Sequence, residues 1–251
     1  TESVADLLHG QVLSRDELVS ELVQDKRFKG MEEQLRSGWG ALLKPLAWQG
    51  ALCYGPSPSS KATFTHPASL LKNWNGLPDP AEAAPAVIKR YLSAYGPATP
   101  ETFDAWLSRN SNKKSTLRSW FASLGEQIVE VRVEGETRYL LAKHEDELAA
   151  TRPSRATHLL GAFDQFVLGP GTKDTHMLAH EHRPLVSKAA GWIAPVLTQG
   201  GRITGVWEMD DGNLVVTPFP GEQAPPSQVL EDAAARLTAV HGSVKVTPRV
   251  D

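Results

Sequence analysis

NKKSTLRSWFASLG, residues 112–125, is the stretch on which the fold of this chain depends. Its apolar side chains follow the i, i+3, i+4, i+7 spacing of one helix face: Leu117, Trp120, Phe121 and Leu124. Gly125 stands where such a helix would end. Lys113, Lys114 and Arg118 lie outside the apolar stripe, so the segment predicts a short amphipathic helix with a basic outer face.

A β-hairpin is predicted directly after this helix. In QIVEVRVEGETRYLLAK, residues 127–143, apolar and polar residues alternate on both sides of a Glu-Gly turn. Two more helices are predicted before the helix of residues 112–125. Residues 80–96 carry an apolar stripe, and Thr99 followed by Pro100 is a typical helix start. Three helices and a hairpin form the winged helix, whose third helix can enter the major groove of DNA.

The first part of the chain repeats this order of elements. After a short first helix, Ser14 and Glu17 have the spacing of a capping box that begins a second helix. A third helix is expected over Met31–Trp48, with Pro45 shortening or kinking its last turn. Two β-type runs, ALCY and ATFT, flank a Gly/Pro/Ser tip and predict a second hairpin.

The last part of the chain is rich in β-type runs. From Thr157 onward, Gly-Gly and Asp-Asp-Gly join three such runs, and a helix and a strand close the chain. The sequence therefore predicts an α+β fold. We expect tandem winged-helix domains over residues 1–77 and 78–150, followed by a small antiparallel β-barrel or sheet domain with capping helices over residues 151–251.

Composition narrows the functional classes. The 251 residues are 41% hydrophobic, which suits a folded protein. Their net charge of -3 gives no evidence from the whole chain for nucleic-acid binding. No apolar run approaches the length of a membrane span, and we expect no membrane partner. Cys53 is the single cysteine, which excludes intrachain disulfides and favours a cytoplasmic location. Residues 26–61 and 108–144 are nevertheless basic, so one face can attract DNA.

Basic side chains on the third helices and hairpins are the candidates for DNA contact, because lysine and arginine contacts to phosphates dominate affinity. They are Lys113, Lys114 and Arg118 in the middle helix, Arg132 and Arg138 in its hairpin, and Arg36, Lys44 and Lys61 in the first repeat, with the hydroxyl of Ser115 beside them. A solvated helix face is the alternative; the adjoining hairpin favours DNA. The pattern predicts phosphate holding, not base reading. Trp39 and Trp48 are assigned to the core.

Two further patterns favour structural roles. HMLAHEH, residues 176–182, has the four-residue histidine spacing of some zinc sites, but only Glu181 or Asp174 could complete a ligand set, so an exposed, loosely ordered stretch is expected. AFDQFVLG, residues 162–169, reads as a strand in which Asp164 is buried and forms an ion pair with Arg202 or Lys173. No nucleotide-binding or metallopeptidase motif occurs, and we expect no metal and no cofactor.

Four stretches together resemble a known family: WGALLKPLAWQGALCYGP, RYLSAYGPATPETFDAWL, LLGAFDQFVLG and ITGVWEMDDGNLVVTPF. They are similar to the bacterial winged-helix DNA-binding proteins that include the AlkZ-type DNA glycosylases, and they extend over nearly the whole chain. The resemblance implies tandem winged helices and a β-rich C-terminal domain around a concave DNA-binding surface. It also implies excision of bulky alkylated bases and unhooking of interstrand crosslinks.

The catalytic motif of that family, Gln-apolar-Gln or Gln-apolar-Asp in a first winged helix, does not occur in this sequence. Gln24, Gln34, Gln49, Gln127, Gln165 and Gln199 all lack a Gln or Asp two positions on. The resemblance therefore implies either that the catalytic module precedes Thr1 or that the protein is not an active glycosylase. No catalytic residue is assigned.

Three functional hypotheses follow. The first is the duplex-holding part of a glycosylase in alkylation or crosslink repair, with double-stranded and possibly damaged DNA as the partner of a monomer. The second is a transcriptional regulator, which would need base-reading side chains and usually a dimerisation helix; only Arg118 suits base reading. The third is a winged-helix interaction module that does not bind DNA, which the negative net charge keeps open.

Overall fold

The computed structural model describes residues 1–37, 41–57, 60–241 and 248–250. The chain folds into two compact units, Thr1–Pro80 and Ala81–Asp251. Both units mix α-helices with small sheets. None of the described helices is both long and apolar enough to cross a membrane.

Over its described residues, the first unit contains four short α-helices and a three-stranded sheet. In chain order its elements are α1 (Glu2–Leu8), β1 (Val12–Ser14), α2 (Arg15–Leu22), α3 (Glu32–Arg36), α4 (Leu43–Trp48), β2 (Cys53–Tyr54) and β3 (Thr63–Thr65). The capping box of Ser14 and Glu17 is confirmed. β3 lies between β1 and β2 and pairs antiparallel with both, so the predicted hairpin is present and β1 adds a strand that the sequence did not reveal.

The long helix expected over Met31–Trp48 is wrong as a single element, because α3 ends at Arg36 and α4 begins at Leu43. Leu35 of α3 and Leu43 of α4 are both buried in the core of the first unit. Trp48 is 74% exposed, which corrects its assignment to the core. Trp39 lies outside the described residues.

The second unit begins with the predicted order of three helices and a hairpin. These elements are α5 (Pro80–Tyr95), α6 (Pro100–Ser108), α7 (Lys114–Ala122), β4 (Ile128–Val133) and β5 (Glu136–Leu141). Thr99 caps α6 as expected, and its side chain accepts a hydrogen bond from the backbone N–H of Thr102. Glu134 and Gly135 both have positive φ angles and form the two-residue turn between the strands. The apolar faces of the three helices share one core with β5.

An open sheet dominates the rest of the second unit. The elements are α8 (Glu145–Ala150), β6 (Thr157–Leu160), α9 (Gln165–Leu168), α10 (Arg183–Val186), β7 (Val196–Gln199), β8 (Arg202–Asp210), β9 (Asn213–Pro218), α11 (Ser227–His241) and β10 (Pro248–Val250). The strand order is β10-β9-β8-β7-β6, antiparallel except that β10 runs parallel to β9. Of the predicted alternatives, the sheet is therefore present and no barrel closes over the described residues.

The sheet has an apolar layer on each face. One layer includes Leu230 and Ala233 of α11, packed against Leu197 and Leu214 of the sheet. The other layer is completed by α9, α10 and the segment between them. Two apolar faces require two covering layers, which explains why short helices enclose five strands.

α5 joins the two halves of the second unit. The Tyr91 hydroxyl donates to the carbonyl oxygen of Gly169, just after α9, at 3.3 Å. Tyr95 also meets this segment, with its hydroxyl 3.4 Å from Oε1 of Gln165. The three-helix region and the open sheet are thus held together through aromatic side chains of one helix.

Candidate nucleic-acid interface

A buried carboxylate fixes the turn between α6 and α7. Asp104 is 2% exposed, and its carboxylate accepts hydrogen bonds from the side-chain amide of Asn112 at 2.7 Å and from the Asn112 backbone N–H at 3.3 Å. Arg109 and Asn110 between them have positive φ angles of 57° and 65°. Such backbone angles are costly for residues other than glycine and persist where the surroundings hold them. The start of α7 is therefore held in one position.

α7 presents unpaired cations to solvent. Its inner face buries Leu117 and Phe121 at 3% exposure each. The predicted DNA-contacting side chains lie on the exposed side: Lys113, Lys114, Ser115 and Arg118. None of the three cations forms an ion pair within the part of the chain that the structure describes. Positive charges that lack internal partners remain available to a polyanion.

A groove of about 310 Å³ separates α7 from the hairpin. Arg118 lies on one side, and Tyr139 and Glu130 of the two strands lie on the other. The Tyr139 hydroxyl is 3.4 Å from a Glu130 carboxylate oxygen. Burial, and then the charge of Glu130, raises the pKa of Tyr139. A carboxylate in this groove repels anions, so the groove is less suited to an anion than the exposed edge of α7.

Arg132 is exposed on the hairpin, and its guanidinium donates to the Thr137 hydroxyl oxygen at 2.7 Å. Side chains alternate between the two faces of a hairpin. Cross-strand pairing places Arg132 on the same face as Tyr139, whose ring is 5.2 Å from that of Phe121 in α7. The structure therefore brings Arg132 to the side of the hairpin that faces α7.

Arg138 lies on the opposite face and is buried. Its guanidinium pairs with Glu136 at 2.8 Å and with Asp174 at 3.2 Å, and it contacts His176 at 2.8 Å. Burial alone would lower the pKa of Arg138, but the bonds to Glu136 and Asp174 raise it above its ordinary value. This charge is used inside the protein. The expectation that Arg138 contacts a phosphate is therefore corrected.

The histidine-rich stretch is packed rather than loosely ordered. Met177 and Leu178 are buried in the core beneath the sheet. His176 lies 3.1 Å from Asp174 and 3.5 Å from Glu134 at the hairpin turn. Over the described residues, no group of three or more His, Cys, Asp or Glu side chains is arranged to hold a metal ion.

The basic candidates of the first unit differ from one another. Arg36 pairs with Asp16 at 2.7 Å and with Glu32 at 3.1 Å, so its charge is partly used within the unit. Lys44 on α4 is exposed and forms no ion pair among the described residues. Lys61 is exposed near the hairpin tip, of which residues 58 and 59 lie outside the described part.

The expected ion pair of Asp164 with Arg202 is wrong. The predicted strand 162–169 is instead a turn followed by α9, and Asp164 caps that helix by accepting from the Phe166 backbone N–H at 2.8 Å. Arg202 is exposed at the start of β8. A half-buried carboxylate at a helix N-terminus is satisfied by backbone N–H groups and needs no cation.

Sequence reasoning missed Asp104. A pattern was available, because Asp104, Ser108 and Asn112 recur every four residues through the end of α6, where short polar side chains bond to one another and to the turn. The spacing alone does not show that the carboxylate is buried.

Comparison with known proteins gives consistent matches. A family model described as "DNA glycosylase AlkZ-like" matches residues 1–240. A Streptomyces sahachiroi protein named "Interstrand DNA cross-link repair glycosylase" is 55% identical over 251 residues, which are 100% of this chain and 68% of that protein. The solved structure of Streptomyces sahachiroi DNA glycosylase AlkZ matches with a TM-score of 0.93 at 55% identity, over 100% of this chain and 68% of that one.

Proposed function

The chain belongs to the AlkZ-like DNA glycosylase family, and on this premise we propose that it holds duplex DNA for a glycosylase that repairs interstrand crosslinks or alkylated bases. The relative with 55% identity carries crosslink repair in its name, which supports this substrate class. A glycosylase must hold the duplex while the damaged nucleotide leaves the stack. The proposal concerns this holding step and assigns water activation to no residue.

The proposed architecture is two winged-helix domains, residues 1–77 and 78–150, before a β-rich domain, residues 151–251. The order α5, α6, α7 and hairpin supports the second winged helix. Helices followed by the β2–β3 hairpin support the first. α7 would then be the DNA-facing helix, and the hairpin would be the wing beside it.

The observation that carries the proposal is the set of three exposed cations at the N-cap and on the outer face of α7: Lys113, Lys114 and Arg118. Each lacks an internal acidic partner within the described residues. Because Asp104 fixes the turn before α7, the cations are displayed from a rigid helix rather than a loop. Arg132 adds a fourth cation on the side of the hairpin that faces α7. In the first unit, Lys44 and Lys61 are proposed contacts.

A salt titration of DNA binding tests the proposal. Lys113, Lys114 and Arg118 are replaced together by Ala, and affinity for a random-sequence duplex is measured between about 50 and 200 mM salt. About three phosphate contacts account for a roughly 40-fold fall in affinity between these two salt concentrations. The triple variant should lack this part of the fall. The matched control replaces three exposed cations of the sheet region, Lys173, Lys188 and Arg202, and should keep most of the wild-type dependence.

The same assay separates the other hypotheses. If the α7 variant and the control variant show equal salt dependence, α7 is not part of the DNA interface. Weak, salt-insensitive binding by the wild type would favour an interaction module without DNA. Tighter binding to one selected, unmodified sequence than to a random duplex with an alkylated purine would favour a transcriptional regulator.

A further inference from the structure

A second basic concavity lies between α5 and the base of the hairpin. Its volume is about 510 Å³, and it shares no lining residue with the groove beside α7. Three of its seven lining residues are cations and none is acidic: Lys89, Arg90, Ser93, Gln127, Leu141, Ala142 and Lys143. Concave surfaces lined by one sign of charge concentrate the electric field and attract counter-ions.

The cations of this pocket have no internal counter-charge. Among the described residues, Lys89, Arg90 and Lys143 take part in no ion pair. The positions three and four residues from Lys89 and Arg90 on α5 hold Pro, Ala, Val, Leu or Ser, so no acid can reach them along the helix. Three cations that converge on one hollow without an acid repel one another until an anion is bound.

Part of the pocket is held in place before any ligand binds. The Gln127 side-chain amide donates to the Leu124 carbonyl oxygen at 3.2 Å, and its oxygen accepts from the Lys89 ammonium at 2.9 Å. An ammonium has three donors, so two remain for a ligand. Leu141, 4% exposed, forms an apolar wall that reduces the screening of these charges by water.

We propose that this pocket binds a phosphate group, and that its source is the backbone of the DNA duplex held by the protein. The choice of source rests on the proposed function; the phosphate chemistry rests on the pocket itself. Ammonium and guanidinium groups, with the Ser93 hydroxyl as a further donor, are the groups that proteins use for phosphate oxygens. The pocket adds a contact to the DNA that does not involve α7 or the face of the hairpin beside it.

The test compares the wild type with two variants. The triple variant Lys89→Ala/Arg90→Ala/Lys143→Ala removes all three cations of the pocket. The double variant Arg90→Ala/Lys143→Ala changes only exposed residues, so it is expected to fold even if the triple variant does not. DNA affinity is measured over the salt range described above, with Lys173→Ala/Lys188→Ala/Arg202→Ala as the charge-matched control. We expect both pocket variants to bind random duplex at least about tenfold more weakly at low salt, with a shallower salt dependence. Affinity and salt dependence equal to the control would overturn the DNA source.

Calorimetric titration with inorganic phosphate and with pyrophosphate completes the test. If the wild type binds these anions and both pocket variants do not, the phosphate site is supported. Failure of the wild type to bind DNA would refute the proposed function and the DNA source, but it would leave that phosphate site standing. If the pocket variants bind DNA like the control and the wild type binds neither anion, the site is refuted while the proposed function stands. Anion binding with unchanged DNA binding would assign the pocket to a free phosphate ligand and overturn the backbone contact.

Discussion

Arg138 and Asp174 form an ion pair of 3.2 Å that links the hairpin to the segment before the histidine-rich stretch, with side chains only 10% and 6% exposed. Glu136 and His176 complete the polar cluster around the guanidinium. A guanidinium in this position satisfies several acceptors at once, which a lysine ammonium cannot do with the same geometry. The hairpin is therefore joined to the segment around Asp174 through the face that carries Arg138, while Arg132 on the other face keeps an exposed side chain.

Replacing Arg138 with Ala should destabilise the protein by about 3–5 kcal/mol, because the change leaves the Asp174 carboxylate buried without its arginine partner. Denaturant unfolding measures the loss. Arg132→Ala on the exposed face is the matched control and should cost less than about 1 kcal/mol. An equal loss of stability in both variants would show that the buried cluster contributes no more than a surface arginine.

A second contact between the halves of the unit depends on the absence of a side chain. A Cβ atom added at Gly169 would lie 2.1 Å from Cε1 of Tyr95, which is far inside van der Waals contact. Gly169→Ala should therefore destabilise the unit by about 1–3 kcal/mol, the usual cost of overpacking. Gly161→Ala is the control, because its added Cβ meets no atom within 4 Å. Thermal unfolding compares the two.

Truncation of Tyr95 identifies the cause of the Gly169 effect. In a Tyr95→Ala background the ring is gone, so Gly169→Ala should cost much less than in the wild type, and the double-mutant cycle should show coupling. Additive effects would mean that the loss arises from the backbone at Gly169. Its φ of -65° and ψ of -57° are ordinary helical values, so we expect coupling.

The sequence predicts those elements whose apolar spacing and caps are local. α5, α6, α7 and the β4–β5 hairpin follow directly from their apolar patterns, the Thr99 cap and the Glu-Gly turn. Phe163 shows where local patterns fail, because AFDQFVLG has the composition of a strand. Its backbone adopts a φ of 58° at Phe163, and Asp164 begins a helix. The Asp164 cap competes with strand formation, and a residue-type pattern cannot decide between them.

The candidate site divides in the same way. Exposed cations on α7 can be predicted, because an amphipathic helix places polar residues outward. The burial of Arg138 cannot, because its partner Asp174 is 36 residues away and only the folded chain brings the two together. The pocket of Lys89, Arg90 and Lys143 was missed for the same reason, since α5 and the second residue after β5 supply its charges.

Alkaline pH should weaken the fold through Tyr91. Burial, and then the charge of Asp174, raises the pKa of this phenol above its ordinary value. An acid whose pKa is raised by folding keeps its proton up to a higher pH in the folded state than in the unfolded state. The unfolded chain therefore binds fewer protons, and stability falls as the pH rises from about 10, the ordinary tyrosine pKa, through the folded value.

Tyr91→Phe removes this titration. At pH 7 the variant should lose up to about 1.5 kcal/mol, because the hydrogen bond from Tyr91 to the Gly169 carbonyl is gone. The stability difference between wild type and variant should narrow as the pH rises above about 9, since only the wild type has a buried phenol to ionise. Urea unfolding from pH 7 to 10.5 measures both trends. Parallel pH profiles for the two proteins would contradict the assignment to Tyr91.

Asp104 allows positioning to be separated from charge in DNA binding. Asp104→Ala removes a negative charge near the cations of α7, so electrostatics alone predicts tighter binding. The same change leaves the Asn112 amide without its acceptor and loosens the turn before α7, which predicts weaker binding and a stability loss of about 1–3 kcal/mol. Because the proposed interface depends on a rigid α7, we expect affinity for random duplex to fall at least about threefold, roughly the effect of 0.7 kcal/mol.

Glu101→Ala provides the comparison, since it removes the same charge from an exposed position on the same helix, α6. Its DNA affinity should stay equal to wild type or rise slightly, with little change in unfolding. Fluorescence anisotropy at fixed low salt measures both variants, and amide hydrogen exchange at the start of α7 reports the turn directly. If Asp104→Ala binds as tightly as Glu101→Ala while exchange at α7 accelerates, rigidity of α7 contributes nothing to holding DNA, and only its charge remains as the basis of the interface.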